Sequence, residues 1–144
     1  MEICTIGFTK KTAREFFDIL KTHGIRHMLD VRLNNSSQLA GFAKREDLEY
    51  FLAEICGISY THEPLLAPTD ELLKAYRASA DWGAYELRFN SLLRDREVEN
   101  RVDPAIFESR TVLLCSEATA DRCHRRLVAE YLQTNWEDVN VIHL

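Results

Sequence analysis

Short apolar segments alternate with longer segments of helical periodicity, and this alternation constrains the fold more than any other feature of the chain. The first segment, EICTIGF, is rich in β-branched residues and ends at Gly7, which is typical of a strand. The second, TAREFFDILKTHG, places Phe16, Phe17 and Leu20 on one helical face. Thr12 and Glu15 stand at capping-box spacing at its start. Strands that alternate with helices indicate a parallel sheet with right-handed crossovers.

The same order continues to the end of the chain. We predict four more strands, in IRHMLDVRL, ISYTHEPLL, RTVLLCSE and VNVIHL. We predict further helices in REDLEYFLAEICG, in two pieces between about residues 70 and 102, and from Asp121 to Thr134. The pattern therefore predicts a small three-layer α/β domain of the Rossmann-like or flavodoxin-like kind. Its mostly parallel sheet has about five strands with helices on both faces, and residues 1–144 form one domain with a helical insertion at about residues 70–102.

Composition limits the possible functions. The chain has 144 residues, of which 46% are hydrophobic and 28% charged, so it can bury a core of its own. The formal net charge of -5 disfavours a general nucleic-acid-binding surface but allows a local basic cleft. We expect no membrane partner, because no apolar run approaches the roughly 20 residues of a membrane span. A homodimer is compatible with the sequence.

Cysteine content and the start of the sequence suggest a compartment. The four cysteines are too few and too scattered for a small disulfide-rich secreted scaffold. The first residues lead directly into a strand pattern rather than into a secretory leader. We therefore expect a cytoplasmic protein with free thiols.

Chemically versatile side chains follow the predicted strands at their carboxyl ends. Ligands of open parallel sheets bind beyond these ends, so we expect the side chains to share one edge of the sheet. If the first and fourth strands are neighbours, Gly7 and Cys115 flank the switch in strand order. The ligand-binding candidates are Gly7, Thr9, Arg32, His62, His124 and Arg125, and the catalytic candidates are Cys115, Glu117, Cys123 and Asp30.

The segment CSEATADRCHRR carries the richest chemistry. With Asp121 as the N-cap, Cys123 falls in the first turn of a helix, where free N–H groups and the helix dipole favour a thiolate. The same turn, with Arg125, is a plausible site for a phosphate or carboxylate group. In this interpretation the thiols serve as nucleophiles or redox groups, and Glu117 or Asp30 serves as a general acid or base.

Each of these residues also fits a structural role. Cys115 at the end of an apolar strand is equally typical of a small buried hydrophobe. Cys123 and His124 fit packing positions of a helix, and Asp30 and Arg32 fit a structural ion pair.

A metal site is the main chemical alternative. Cysteine, histidine and glutamate are all zinc ligands, but the chain has no Cys-x-x-Cys pair. Neighbouring residues such as Cys123 and His124 also point about 100° apart on a helix. We therefore assign no metal ligand and leave the cofactor unknown.

Four segments resemble the domain of unknown function 488 family: TIGFT, LDVR, YTHEPLL and LLCSEATADRCHRRLVAEYL. The resemblance covers essentially the whole chain, and the last segment is the most specific. It implies a compact α/β domain and a single cluster containing Cys115, Glu117, Cys123, His124 and Arg125. It implies no particular activity.

A looser similarity is to rhodanese-type sulfurtransferases. These also have an Asp-Val-Arg strand end, and a loop between a strand and a helix that cradles the reactive thiol, for which Cys115 is the matching residue. The chain departs from them at Glu117, which places a negative charge in a loop that would hold an anion.

Three functional hypotheses follow, and whether the protein is an enzyme is left open. The first is binding of a small anionic or nucleotide-like ligand at the carboxyl edge of the sheet, with thiol- or carboxylate-assisted catalysis. The second is a nucleic-acid-associated or regulatory binding module, with a basic rim from Lys10, Lys11, Lys44, Arg45 and residues 122–126. The third is a metal-dependent enzyme that uses cysteine, histidine and glutamate.

Overall fold

The structure, a computed structural model, describes residues 1–144 and contains a single sheet of five parallel strands. The strands are β1 (Glu2–Gly7), β2 (His27–Asp30), β3 (Ser59–His62), β4 (Thr111–Cys115) and β5 (Asn140–His143). The helices are α1 (Ala13–Thr22), α2 (Arg45–Phe51), α3 (Asp70–Ser79), α4 (Trp82–Asp95), α5 (Val98–Arg101) and α6 (His124–Asn135). The strand order is β3-β2-β4-β1-β5, which confirms the predicted α/β fold.

The helices pack on both faces of the sheet, and two separate apolar cores result. On one face, Phe16 and Leu20 of α1 and Leu48 of α2 pack against the sheet. On the other, α3, α4 and α6 pack together, with Phe89 and Leu127 fully or almost fully buried. Burial of each such side chain contributes about 1.5–3 kcal/mol, so both faces stabilise the central strands. All five residues of β4 are buried, as expected of a strand covered on both sides.

Local signals set most helix boundaries. The Thr12 hydroxyl accepts a hydrogen bond from the Glu15 backbone N–H at 3.1 Å and so caps α1. The helical segment between β3 and β4 divides at Ala80, whose φ of 52° ends α3, and Asp81 caps α4. No helix has the length and apolar character needed to cross a membrane.

The start of α6 differs from the sequence prediction. Cys123 is the N-cap, with an extended backbone (φ -139°, ψ 137°), and the helix begins at His124. The prediction that Asp121 caps the helix was wrong. Tertiary contacts hold residues 116–122 as a loop over the end of β1, where the Thr9 backbone N–H donates to the Ser116 carbonyl at 3.0 Å.

Gly7 allows this loop to cross the sheet. It pairs with Cys115 in the β1–β4 register, and the carbonyl group of Glu117 lies directly above it. A Cβ atom at position 7 would stand 1.6 Å from that carbonyl oxygen and 3.0 Å from the Arg125 guanidinium. No side chain therefore fits at Gly7 unless the loop moves.

We predict that Gly7→Ala lowers the free energy of unfolding by about 3 kcal/mol, because overpacking against backbone cannot be relieved by a side-chain rotation. Urea denaturation measures the change. The matched control is Gly83→Ala in α4, where the nearest atom to a new Cβ is 3.6 Å away. That variant should keep or slightly gain stability, since alanine is the better helix former. Equal stability losses in the two variants would contradict the close approach at Gly7.

Candidate functional site

The strand order brings the ends of β2, β4 and β1 together. β4 lies between the other two, Cys115 is level with Gly7, and the Val31 backbone N–H donates to the Leu114 carbonyl at 3.1 Å. Residues far apart in sequence therefore meet at the carboxyl edge, as the sequence analysis expected for an open parallel sheet.

A cavity of about 300 Å³ opens at this edge, between the strand ends and the helices inserted between β3 and β4. Cys115, Cys123 and His124 form its floor, and all three are buried. Three aromatic side chains of the inserted helices form a wall, namely Tyr76, Trp82 and Tyr85. Four charged side chains also line the cavity, namely Arg32, Arg77, Arg122 and Glu117.

The thiols and the imidazole on the floor are in contact. The Cys115 Sγ lies 3.4 Å from His124 Nδ1. The Nε2–H of His124 donates to the Val31 carbonyl oxygen at 2.6 Å. This bond fixes the ring orientation and leaves Nδ1 unprotonated, and the Cys115 Sγ lies only slightly farther from Nε2, at 3.8 Å. Phe89 packs edge-on against the imidazole and further restricts it.

The two thiols have opposite acidities. A hydrogen bond with Cys123, the Ser116 backbone and the charges of Arg125 and Arg32 lower the pKa of the Cys115 thiol, although burial opposes them. The hydrogen bond with Cys115, together with burial, raises the pKa of the Cys123 thiol. Burial lowers the pKa of His124. Negative charge is therefore favoured at Cys115 rather than at Cys123.

Arg125 is a buried cation without a carboxylate partner. Its side chain is 1% exposed, and its Nη1 donates to the Glu117 carbonyl at 2.7 Å and to the Cys123 Sγ at 3.3 Å. Its Nε has no hydrogen-bond partner. A buried charge is normally paired, so this guanidinium favours negative charge on the neighbouring thiols or in the cavity.

Asp30 and Arg32 form a second buried cluster beside the cavity. Two side-chain hydrogen bonds of 2.9 Å join them, and Asn35 and Tyr60 also donate to the Asp30 carboxylate. Burial raises the pKa of Asp30, but the bonds and charge of Arg32 and the Tyr60 hydroxyl outweigh it and bring the pKa below its ordinary value. The carboxylate is therefore held ionised, with its oxygens occupied.

The cavity contains only some of the residues that the sequence singled out. Cys115, Glu117, Cys123, His124 and Arg32 line it. The other predicted residues lie outside the lining and contact residues that form it. Gly7 lies beneath Glu117, and the Thr9 backbone is hydrogen-bonded to Ser116. Asp30 and His62 contact Arg32, with the His62 Nε2 2.8 Å from the Arg32 carbonyl, and Arg125 is hydrogen-bonded to Cys123.

Sequence reasoning missed the aromatic wall. Tyr76, Trp82 and Tyr85 belong to the helical insertion at about residues 70–102, to which the sequence assigned no functional role. The Trp82 and Tyr85 rings stack at 5.2 Å and 26°. The one feature of the sequence that could have indicated this wall is the concentration of aromatic residues near the junction of two helices.

Comparison with known proteins identifies the family and nothing more. A family model described as "Domain of unknown function DUF488" matches residues 12–132, and the chain belongs to that family. No curated protein and no solved structure matches the chain.

We predict that Asp30→Asn lowers the free energy of unfolding by about 3–5 kcal/mol at pH 7, because it leaves the buried Arg32 without a counter-charge. The native carboxyl has a lowered pKa, so its stabilisation is present at neutral pH. It is lost as the pH falls below the ordinary carboxyl value of about 3.9 and through the lower native one.

Chemical denaturation between pH 3 and pH 7 tests both statements. The matched control is Asp70→Asn, which removes an exposed carboxylate paired with Lys74. It should leave stability nearly unchanged. A loss for Asp30→Asn no larger than that of the control would show that the buried pair does not stabilise the site.

Proposed function

We propose that this member of the DUF488 family binds a small anionic molecule with a planar ring, a nucleotide-like ligand, and acts on it through its cysteine thiols. One observation carries the proposal. A single cavity combines an aromatic wall, three arginines with one carboxylate, and a floor of two thiols and an imidazole. Pockets with an apolar body and a few convergent polar groups are the usual form of small-molecule sites.

The charge of the cavity supports an anionic ligand. Asp30 balances Arg32, and the two remaining arginines, Arg77 and Arg122, outnumber the single carboxylate of Glu117, although the chain as a whole carries a net charge of -5. The Nη1 of Arg32 is buried and has no hydrogen-bond partner. Buried donors are almost always paired, and a phosphate or carboxylate oxygen is the strongest partner for a guanidinium.

The aromatic wall supports a ring in the ligand. Trp82 is half-buried and lines the cavity, and Tyr85 stacks against it. The Arg126 guanidinium carbon lies 5.9 Å from the centre of the Trp82 ring and also restrains it. Stacking on such a side chain contributes about 1–3 kcal/mol for a nucleobase.

The thiols are better placed for chemistry than the carboxylates. The Asp30 carboxylate is surrounded by protein donors, and Glu117 lies at the exposed rim. Cys115 lies on the floor next to His124 and is the thiol whose lowered pKa favours the charged, reactive form. All four cysteines are free, which suits a reducing compartment such as the cytoplasm.

The burial and pairing of two basic residues favour a small ligand over a polynucleotide. Arg125 is buried, and Arg126 pairs with Glu86 at 3.7 Å and Glu130 at 3.5 Å. Neither is free to meet a phosphate chain on the surface. Arg122, another arginine of this segment, lines the cavity.

We predict that at least one of the common nucleoside 5′-monophosphates binds more tightly than its nucleoside or inorganic phosphate, because it offers both a ring and an anion. Calorimetry measures affinity, and tryptophan fluorescence reports the site. Arg122→Ala should weaken binding by about tenfold, the loss expected for one charge-assisted hydrogen bond. Trp82→Phe should abolish the ligand-dependent fluorescence change.

Two variants serve as controls. Arg14→Ala removes the same charge from α1, on the opposite face of the sheet, and should leave affinity unchanged. Trp136→Phe alters the other tryptophan, which packs on Phe107 away from the cavity, and should preserve the fluorescence response. If no nucleoside monophosphate binds, or if Arg14→Ala weakens binding as much as Arg122→Ala, the proposed ligand class is wrong.

A further inference from the structure

We infer that Cys115, Cys123 and His124 bind one divalent transition-metal ion, of which Zn²⁺ is the best match, on the floor of the cavity. The inference deepens the proposed function, because it names the group through which the thiols act on a ligand. It rests on the proposed function only for the identity of that ligand. The ion itself is inferred from the three donor atoms and their surroundings.

The donor atoms have the separation of ligands on one ion. The two Sγ atoms and one imidazole nitrogen lie within 4.8 Å of one another. Metal–ligand bonds of about 2.3 Å to sulfur and 2.0 Å to nitrogen at tetrahedral angles place those two atoms about 3.5 Å apart. The Cys115 Sγ and His124 Nδ1 are 3.4 Å apart. Two thiolates and one imidazole favour zinc, whereas Mg²⁺ and Ca²⁺ prefer oxygen ligands.

The imidazole has the tautomer of a metal ligand. Its Nε2–H donates to the Val31 carbonyl, so Nδ1 is unprotonated and has its lone pair available, and this nitrogen lies 3.4 Å from the Cys115 Sγ. Ligand histidines commonly donate their second ring N–H to a backbone carbonyl in this way. The bond spans 93 positions of sequence and joins α6 to the end of β2, so the sheet itself positions the ring.

The backbone conformation at Cys123 allows the neighbouring residues Cys123 and His124 to bind the same ion. On a helix their side chains would diverge by about 100°. Cys123 precedes the helix and has an extended backbone, whereas His124 is its first helical residue. This change of conformation between adjacent residues turns both side chains toward Cys115.

The charge of the surroundings fits a metal thiolate. When a divalent ion binds, each of the two thiols releases its proton to solvent, and the ion and two thiolates together are neutral. Arg125 then donates from Nη1 to a thiolate at Cys123 rather than to a neutral thiol. Its buried positive charge, which no carboxylate balances, remains and favours an anionic group from the ligand in the ion's remaining coordination position.

The accessible side of the cluster gives the ion a role. All three ligand residues line the cavity, so a bound ion faces the space assigned to the ligand. Three protein ligands with the fourth position left to solvent or substrate is the pattern of catalytic rather than structural zinc sites. There the ion would act as a Lewis acid on an oxygen atom of the ligand.

We predict that protein purified without an affinity tag and stripped by chelator binds one Co²⁺ per chain. The complex should show the near-ultraviolet charge-transfer bands of thiolate–cobalt bonds and the visible bands of tetrahedral cobalt, and Zn²⁺ should displace it. X-ray absorption of the zinc-loaded wild-type protein should show two sulfur ligands at about 2.3 Å and nitrogen or oxygen ligands near 2.0 Å. The absorption measurement needs no variant and is independent of any effect of mutation on folding.

Cys115→Ser and Cys123→Ser should each reduce Co²⁺ affinity by at least 100-fold and weaken the charge-transfer bands. The matched control is Cys56→Ser, which removes a half-buried thiol outside the cluster and should change neither property. Circular dichroism confirms that each variant is folded. Absence of charge-transfer bands in the wild-type protein, an absorption spectrum with oxygen ligands only, or equal losses in Cys56→Ser would each overturn the inference.

The result is separable from the ligand proposal. Metal binding without affinity for any nucleoside monophosphate would support the ion and reject the ligand class. Nucleotide binding that is unchanged in protein incapable of binding Co²⁺ or Zn²⁺ would support the ligand class and reject the ion.

Discussion

The whole site depends on the passage of one loop over the end of β1. Residues 116–122 cross above Gly7, and the Glu117 carbonyl occupies the space that any other residue's Cβ would need. Arg125 holds that carbonyl from the first turn of α6. Because the loop and helix are fixed in this way, Cys123 and His124 return to the end of β4, where Cys115 lies. A shift of the loop would separate the two thiols and open the floor of the cavity.

The distribution of charge around the cavity determines which ligands the site favours. The chain is acidic, yet it buries Arg125 without an acid and gathers three more arginines around one cavity. In contrast, the neighbouring Arg32 is balanced by Asp30 through two hydrogen bonds. The unbalanced positive charge therefore lies on the side of the thiols. Both the anionic ligand and the metal thiolate offer the negative charge that this part of the protein lacks.

Much of the fold and part of the site could be predicted from the sequence. The period of apolar residues identified the helix of Phe16 and Leu20, and the apolar run from Thr111 to Cys115 identified a strand buried on both faces. The rule that ligands bind at the carboxyl ends of parallel strands brought Cys115 and His124 to the same edge. The aromatic wall could not be predicted from the sequence. Helical periodicity shows that Tyr76 and Trp82 are on helices, but it does not show which strand ends those helices cover.

The sequence by itself determined the parallel sheet and the two helical layers, because these follow from the alternation of apolar strands with amphipathic helices. It also predicted that side chains following the strands share one edge, and the family resemblance implied that Cys115, Cys123, His124 and Arg125 form one cluster there. Only the tertiary structure decided how the cluster is arranged. Asp121 has the better local signal for capping α6, yet contacts with Gly7 and Arg125 keep the loop extended to Cys123. The approach of Glu117 to Gly7 joins residues more than 100 positions apart, and no local propensity contains it.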